Sequence, residues 1–245
     1  MSNSEIQTEA EKVSFALSYP FFGPKDDFIF IEGQTVDVMS VQGSNAKDWE
    51  LSTFADIDLD NFETNLENLI PVVACGSNAS PIQLRRKFSD FSNLFIPCLK
   101  FSLKGYVCLY GREIAGYGSI PATLEPENGA EIQIFVNFLT EELFDALNVS
   151  EALESAYQHI DVTGFGARDF IDINGTSVYG YQMIRGHFGL RLDSIDTQNS
   201  GYTAASQWEA QQHVMKELGL DLSVEHFIKQ NISDPLLRKK RSAAL

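Results

Sequence analysis

Cysteine and histidine are scarce in this chain of 245 residues, which has 3 Cys and 4 His. Cys75, Cys98 and Cys108 form no CxxC pair, and no Cys or His falls at the spacing of a metal site. So small and odd a set of thiols excludes a disulfide-stapled scaffold and reads as the reduced thiols of a cytoplasmic protein. No metal is expected, and no cofactor. Gly116-Tyr117-Gly118 and Gly164-Phe165-Gly166 are at most half of a dinucleotide fingerprint, and neither opens a strand–turn–helix unit. Basic residues are also few. Lys and Arg total 18 against 34 Asp and Glu, a formal net charge of −16, which disfavours nucleic acid and anionic membrane surfaces as partners. No apolar run approaches the ~20 residues of a membrane span. Residues 1–12 are polar and acidic, unlike a secretory or transit peptide.

What remains is a chain with 44% hydrophobic residues, long enough for a sizeable core, with aromatics and glycines spread throughout. Charge is not spread evenly. Residues 1–69 carry 14 acidic and 3 basic side chains, net −11, and the remainder carries 20 and 15, net −5. The step places a boundary near Leu69. Residues 1–69 read as an acidic accessory region. Within it, Phe28 to Val38 has strand composition around a Gly33 turn, and Tyr19-Pro20-Phe21-Phe22 is too apolar for water. Residues 45–68 read as a loop with a short helix. Residues 70–220 read as the main domain, and 221–245 as an extension whose Arg238-Lys239-Lys240-Arg241 run is a solvated tail.

The main domain alternates short helices with strands. Ile70–Cys75 is an apolar strand, and Ser80-Pro81-Ile82-Gln83 starts a helix with Ser as N-cap and Gln three residues later. Phe101–Tyr110, Ile120–Glu125 and Glu131–Leu139 read as separate strands. In the last, Ile132, Ile134, Val136 and Phe138 share a face. Thr140 caps a helix carrying Leu143, Phe144 and Leu147. Strands follow at Tyr157–Val162 and Ser177–Ile184, then a helix over Ala205–Leu218 with Trp208, Gln212 and Met215 on one side. The expected class is α+β, a small mixed β-barrel or curved sheet with flanking short helices and an N-terminal hairpin or arm.

Two features carry chemistry. The first is the turn Cys75-Gly76-Ser77-Asn78-Ala79, where a buried strand feeds a helix start and several N–H groups converge, which suits an anionic group. The same residues equally make an ordinary strand-to-helix turn. The second is the acidic segment Leu147-Asn148-Val149-Ser150-Glu151, followed by Ala156-Tyr157. Read from these residues alone, Glu151 is one of 34 acids and Tyr157 is as readily a core aromatic.

The order of these motifs resembles the γ-glutamyl cyclotransferase family: apolar strand, Gly76-Ser77-Asn78, Pro121-Ala122-Thr123, Leu139-Thr140-Glu141-Glu142-Leu143, Leu147-Asn148-Val149-Ser150-Glu151, Tyr157. The likeness covers residues 70–220. Cys75 stands where that family usually has Tyr, Ala79 where Leu or Met is common, and Ala152 where Gly usually follows the carboxylate. The resemblance implies a small-molecule γ-glutamyl substrate cleaved by attack of its own α-amine, releasing 5-oxoproline, without a metal. Glu151 is then the acid/base, with Glu154 its rival one turn away. Cys75, Gly76, Ser77, Asn78, Ala79 and Tyr157 become the substrate-binding set, with the helix N-terminus adding positive potential. Two alternatives stand beside it: a binding module of the same fold without catalysis, and an amidase using Cys75 with a histidine such as His159. The sequence leaves a monomer and a homodimer both open.

Overall fold

The computed structural model describes residues 8–21, 23–42, 50–53, 62, 66–166 and 177–245. Phe22 and most of 45–68 therefore lie outside the described residues. The elements run α1 (Glu9–Leu17), β1 (Phe28–Ile31), β2 (Gln34–Gln42), β3 (Glu50–Thr53), β4 (Ile70–Val73), α2 (Pro81–Lys87), β5 (Phe95–Gly111), β6 (Ala122–Leu139), α3 (Glu141–Ser150), β7 (Tyr157–Val162), β8 (Val178–Met183), β9 (His187–Leu192), β10 (Thr197–Gln198), β11 (Thr203–Ala205), α4 (Gln207–Glu217), α5 (Val224–Ser233) and α6 (Pro235–Ala244).

The fold is α+β, with one mixed sheet of eleven strands among the described residues. Its main path is β3-β2-β1-β5-β6-β4-β8-β7, with β10 on β6 and the β9–β11 pair on β5. Most pairings are antiparallel; β4–β8 and β9–β11 are parallel. The expected barrel is not closed. An isolated bridge between Leu103 and Phe165 ties the segment after β7 back to β5, with Lys104 N–H donating to the Gly164 carbonyl at 3.0 Å and Gly166 N–H to the Ser102 carbonyl at 2.8 Å. One bridge in place of a ladder leaves the path open.

β5 and β6 form the spine. The sequence predicts a break in β6 around Pro126 and Gly129, but the strand runs through it and Pro126 pairs with Tyr106. Proline gives no N–H to a ladder, and the register shifts between Lys104 and Tyr106, where Gly105 takes φ 83°. Side chains alternate into two buried clusters. On β4, Val72 joins one and Val73 the other. Leu84, Phe88, Leu143 and Leu147 bring α2 and α3 to the first, whereas Val13, Ala16, Val214, Phe227 and Ile228 bring α1, α4 and α5 to the second.

The charge step near Leu69 does not coincide with a break in the sheet. Glu32 and Gly33, at φ 46° and 77°, turn the chain so that β1 and β2 pair as a hairpin, and β1 continues along β5. α1 lies against α5, where Lys229 and Glu9 are 3.4 Å apart. Three expectations need correcting. Ser80 occupies the N-cap of α2 but makes no side-chain cap, its buried hydroxyl having no hydrogen-bond partner among the described residues, and the Gln83 side chain accepts from Arg86. α4 buries Gln207, Ala210, Gln211, Val214 and Met215, while Trp208 is half exposed. The basic run is solvated only in part: Lys239 and Lys240 are exposed, but the run is helical and not a tail. It lies in α6, where Arg241 is buried over the Phe227 ring and bonds Asn231 Oδ1 at 2.8 Å and Gln230 Oε1 at 2.6 Å. Among the described residues, no helix is long and apolar enough to cross a membrane.

Phe88 ends α2 fully buried in the cluster shared with α3. Phe88→Ala should lower unfolding stability by about 3–5 kcal/mol in urea denaturation. An unchanged midpoint would show that this cluster does not anchor α2.

Candidate active site

The chain leaves β4 at Val73 and enters a 3-10 turn, Gly76–Ala79, before α2 begins at Pro81. Gly76 has φ 74°, a conformation that favours glycine. A Cβ there would lie 2.2 Å from the Tyr19 hydroxyl oxygen and 2.9 Å from Ala122 Cβ, so the position is closed to any side chain. Tyr19 and Tyr157 hold Ala122 from both sides. The Ala122 N–H donates to the Tyr19 oxygen at 2.7 Å, and the Tyr157 hydroxyl donates to the Ala122 carbonyl at 2.9 Å. Asn78 is buried, and its carbonyl accepts from Asn137 Nδ2 at 2.7 Å. The turn is thus pinned to β6 at its tightest point and again at its end.

α3 runs from its Thr140 cap to Ser150 and delivers Glu151 at its C-terminus. The chain then turns through Ala152 at φ 51°. This is the left-handed position after a helix that usually takes glycine, and alanine there costs about 1 kcal/mol. The Glu151 carboxylate meets the Lys87 ammonium, which also donates to Asn78 Oδ1 at 2.7 Å. The two side chains are 7% and 14% exposed, so the pair is largely shielded from water. Glu151 Oε1 takes the lysine, and Oε2 has no hydrogen-bond partner among the described residues. One ammonium therefore joins the turn to the acid.

These groups face a cleft of about 1100 Å³ whose lining includes Cys75, Ser77, Asn78, Lys87, Glu151 and Tyr157. Of the expected site residues, Cys75, Ser77, Asn78, Glu151 and Tyr157 meet there. Gly76 and Ala79 are not among the lining residues, and the rival Glu154 is exposed on the loop beyond. The expected help from a helix N-terminus is also weaker than supposed. α2 has seven residues, starts at a proline and follows the 3-10 turn, so the strong local cation is Lys87. Sequence reasoning missed Lys87, Tyr19 and Tyr117. Lys87 is two turns from the Gly-Ser-Asn segment on the helix that it opens. Tyr19 and Tyr117 arrive from segments that the sequence marks only as apolar and as glycine-flanked.

The hollow raises the pKa of its acids that are neutral at pH 7. Burial, then neighbouring tyrosines and Cys75, push Tyr19 up. Burial and the Glu151 charge push Tyr157 up, and the same two causes bring Tyr117 to about 12 against the pull of Arg86 and Ser77. Burial and Cys108 keep the Cys75 thiol protonated. Cys75 Sγ lies 2.7 Å from Cys108 Sγ, whereas His159 Nε2 is bonded to Asn148 Oδ1 at 2.9 Å and stacked on Phe144. No histidine is among the lining residues. The Cys75–His159 pairing that an amidase would need is therefore not formed.

The arrangement offers one carboxylate lining the hollow, a lysine holding one of its oxygens, polar groups of a pinned turn, and three neutral phenols. Such a set suits proton transfer on a small polar ligand without a thiolate. Searches of protein-family models, curated proteins and solved structures find no match to this chain.

Removing one partner of a shielded ion pair strands the other. Lys87→Met should cost about 3 kcal/mol of stability, and the cycle with Glu151→Gln should show a coupling of about 1 kcal/mol or more in urea denaturation. Additive effects would show that the pair is not coupled. The tyrosines give a pH test. A raised folded pKa leaves stability intact below about pH 10, the unfolded tyrosine value, and removes it as pH rises through the folded values. Phenolate absorbance at 295 nm should therefore rise together with loss of circular dichroism above pH 10. Ionisation of all the tyrosines in a folded protein would contradict the burial.

Proposed function

We propose that the protein is a γ-glutamyl cyclotransferase-type enzyme of the cytoplasm with a γ-glutamyl amide as substrate. The observation that carries this reading is the shared hollow: the Glu151 carboxylate and the Ser77-Asn78 turn face one cleft and are joined through Lys87. The order of motifs across residues 70–220 supports it further.

On this reading the α-ammonium of the substrate lies against Glu151 Oε2 and loses a proton to it. The neutral amine attacks the γ-carbonyl carbon of the same molecule, forming the ring C–N bond and pushing the carbonyl electrons onto oxygen. N–H groups of the Ser77-Asn78 turn stabilise that oxyanion. Glu151 then returns the proton to the departing nitrogen as the old C–N bond breaks, and takes the second proton of the ring nitrogen, which leaves with the product amine as its ammonium. The products are 5-oxoproline and an amine, amino acid or peptide, and no water is consumed. Because nucleophile and electrophile share one chain, holding the reactive conformer contributes about 7–11 kcal/mol to lowering the barrier. Lys87 keeps the carboxylate aimed through its other oxygen.

The same lysine supports a second reading. The carboxylate is already engaged by an ammonium, and the site would then hold a small zwitterion without turning it over. The two readings part on product. Incubation with a panel of γ-glutamyl amides should release 5-oxoproline, and Glu151→Gln should reduce kcat by about 10²–10⁴-fold with the circular dichroism spectrum unchanged. Ligand-induced thermal stabilisation without product would favour the binding module. Full turnover by Glu151→Gln would reject this residue as the base.

A further inference from the structure

Elements outside residues 70–220 also line the cleft. α1 supplies Lys12 and α6 supplies Arg238 and Lys239, and α2 adds Arg86 from within. With Lys87, five cations and three acids, Glu11, Glu113 and Glu151, line one hollow in a chain of net charge −16. The acids are engaged. Glu151 meets Lys87, Glu113 lies 3.9 Å from Arg185, and Glu11 closes the N-cap of α1 on Thr8. Lys12, Arg86, Arg238 and Lys239 have no carboxylate at ion-pair distance among the described residues. Arg86 bonds the Gln83 side chain and lies over the Tyr117 ring, and Arg238 bonds the Asn231 carbonyl. Such grouping repels itself, and an acidic chain has carboxylates to spare for relieving it. The volume of about 1100 Å³ also exceeds what a glutamyl group alone fills.

Resting on the γ-glutamyl reading, we propose that the departing half of the substrate carries a carboxylate, held by Arg238 with Lys12 and Lys239 beside it. The substrates are then γ-glutamyl amino acids or peptides, and γ-glutamyl amines are poor substrates. Lys87 and Glu151 take the glutamyl end, and the extension beyond residue 220 selects the other end. Specificity thus comes from a helix that the sequence presents as a basic tail.

The test compares γ-glutamylglycine with γ-glutamylmethylamide, in which a methylamine leaves in place of glycine, by 5-oxoproline release from the full chain. kcat/KM should favour γ-glutamylglycine by about tenfold or more, the scale of a charge-assisted hydrogen bond. Arg238→Met should shrink that ratio to about twofold. If Arg238→Met fails to fold, the wild-type ratio should still fall between 50 mM and 500 mM NaCl, because these cations are open to solvent and screened by salt. Equal turnover of the two compounds at low salt, or a ratio indifferent to both salt and Arg238→Met, overturns the subsite while leaving the γ-glutamyl reading in place. No 5-oxoproline from either compound overturns that reading and this proposal with it.

Discussion

One shielded ion pair organises the cleft. The Lys87 ammonium binds the Glu151 carboxylate and the Asn78 amide oxygen together, and so links α2, the end of α3 and the turn after β4. Each partner is expensive to bury alone. The pair therefore fixes where three separate segments meet. The neutral groups around it follow from the same constraint. Tyr19, Tyr117 and Tyr157 crowd the hollow, and burial with a fixed negative charge nearby keeps phenols protonated. The result is a site with one lysine-bound carboxylate among phenols that hold their protons.

The turn serves that pair through close packing. Gly76 lets the backbone press against Tyr19 and Ala122, and Asn137 on β6 holds the Asn78 carbonyl. Ala122 begins β6, the strand that pairs with both β4 and β5, so the site stands on the most heavily laddered part of the sheet. On the proposed reading, this rigidity supplies the conformer in which an α-amine lies against its own γ-carbonyl. The added elements work differently. α1 and α6 both pack on α5, and they bring Lys12, Arg238 and Lys239 to the cleft.

Local signals carried much of this in the sequence. The Ile132–Phe138 alternation, the Thr140 cap and the Tyr157–Val162 strand all depend on neighbours a few residues away, and they stand where the pattern puts them. The meeting of Cys75, Ser77, Asn78, Glu151 and Tyr157 was legible only through the order of motifs. What was hidden depends on long-range pairing. Pro126 and Gly129 read as a break because a sequence does not show the partner strand that lets β6 continue past them. The Arg238–Arg241 run read as solvated because its partners, Asn231, Phe227 and the cleft, are set by the helix packing. Lys87 looked like one more helix-end lysine until Glu151 was placed beside it, 64 residues on.

The central claim is that the carboxylate of Glu151 and the Ser77-Asn78 turn address one ligand. Its most direct test is amide chemical-shift mapping of the whole chain titrated with 5-oxoproline, the ring product of the proposed reaction. The account predicts saturable shifts centred on Ser77, Asn78, Glu151 and Tyr157, lost in Glu151→Ala. Shifts that cluster elsewhere, or a spectrum unmoved at saturating product, would contradict it.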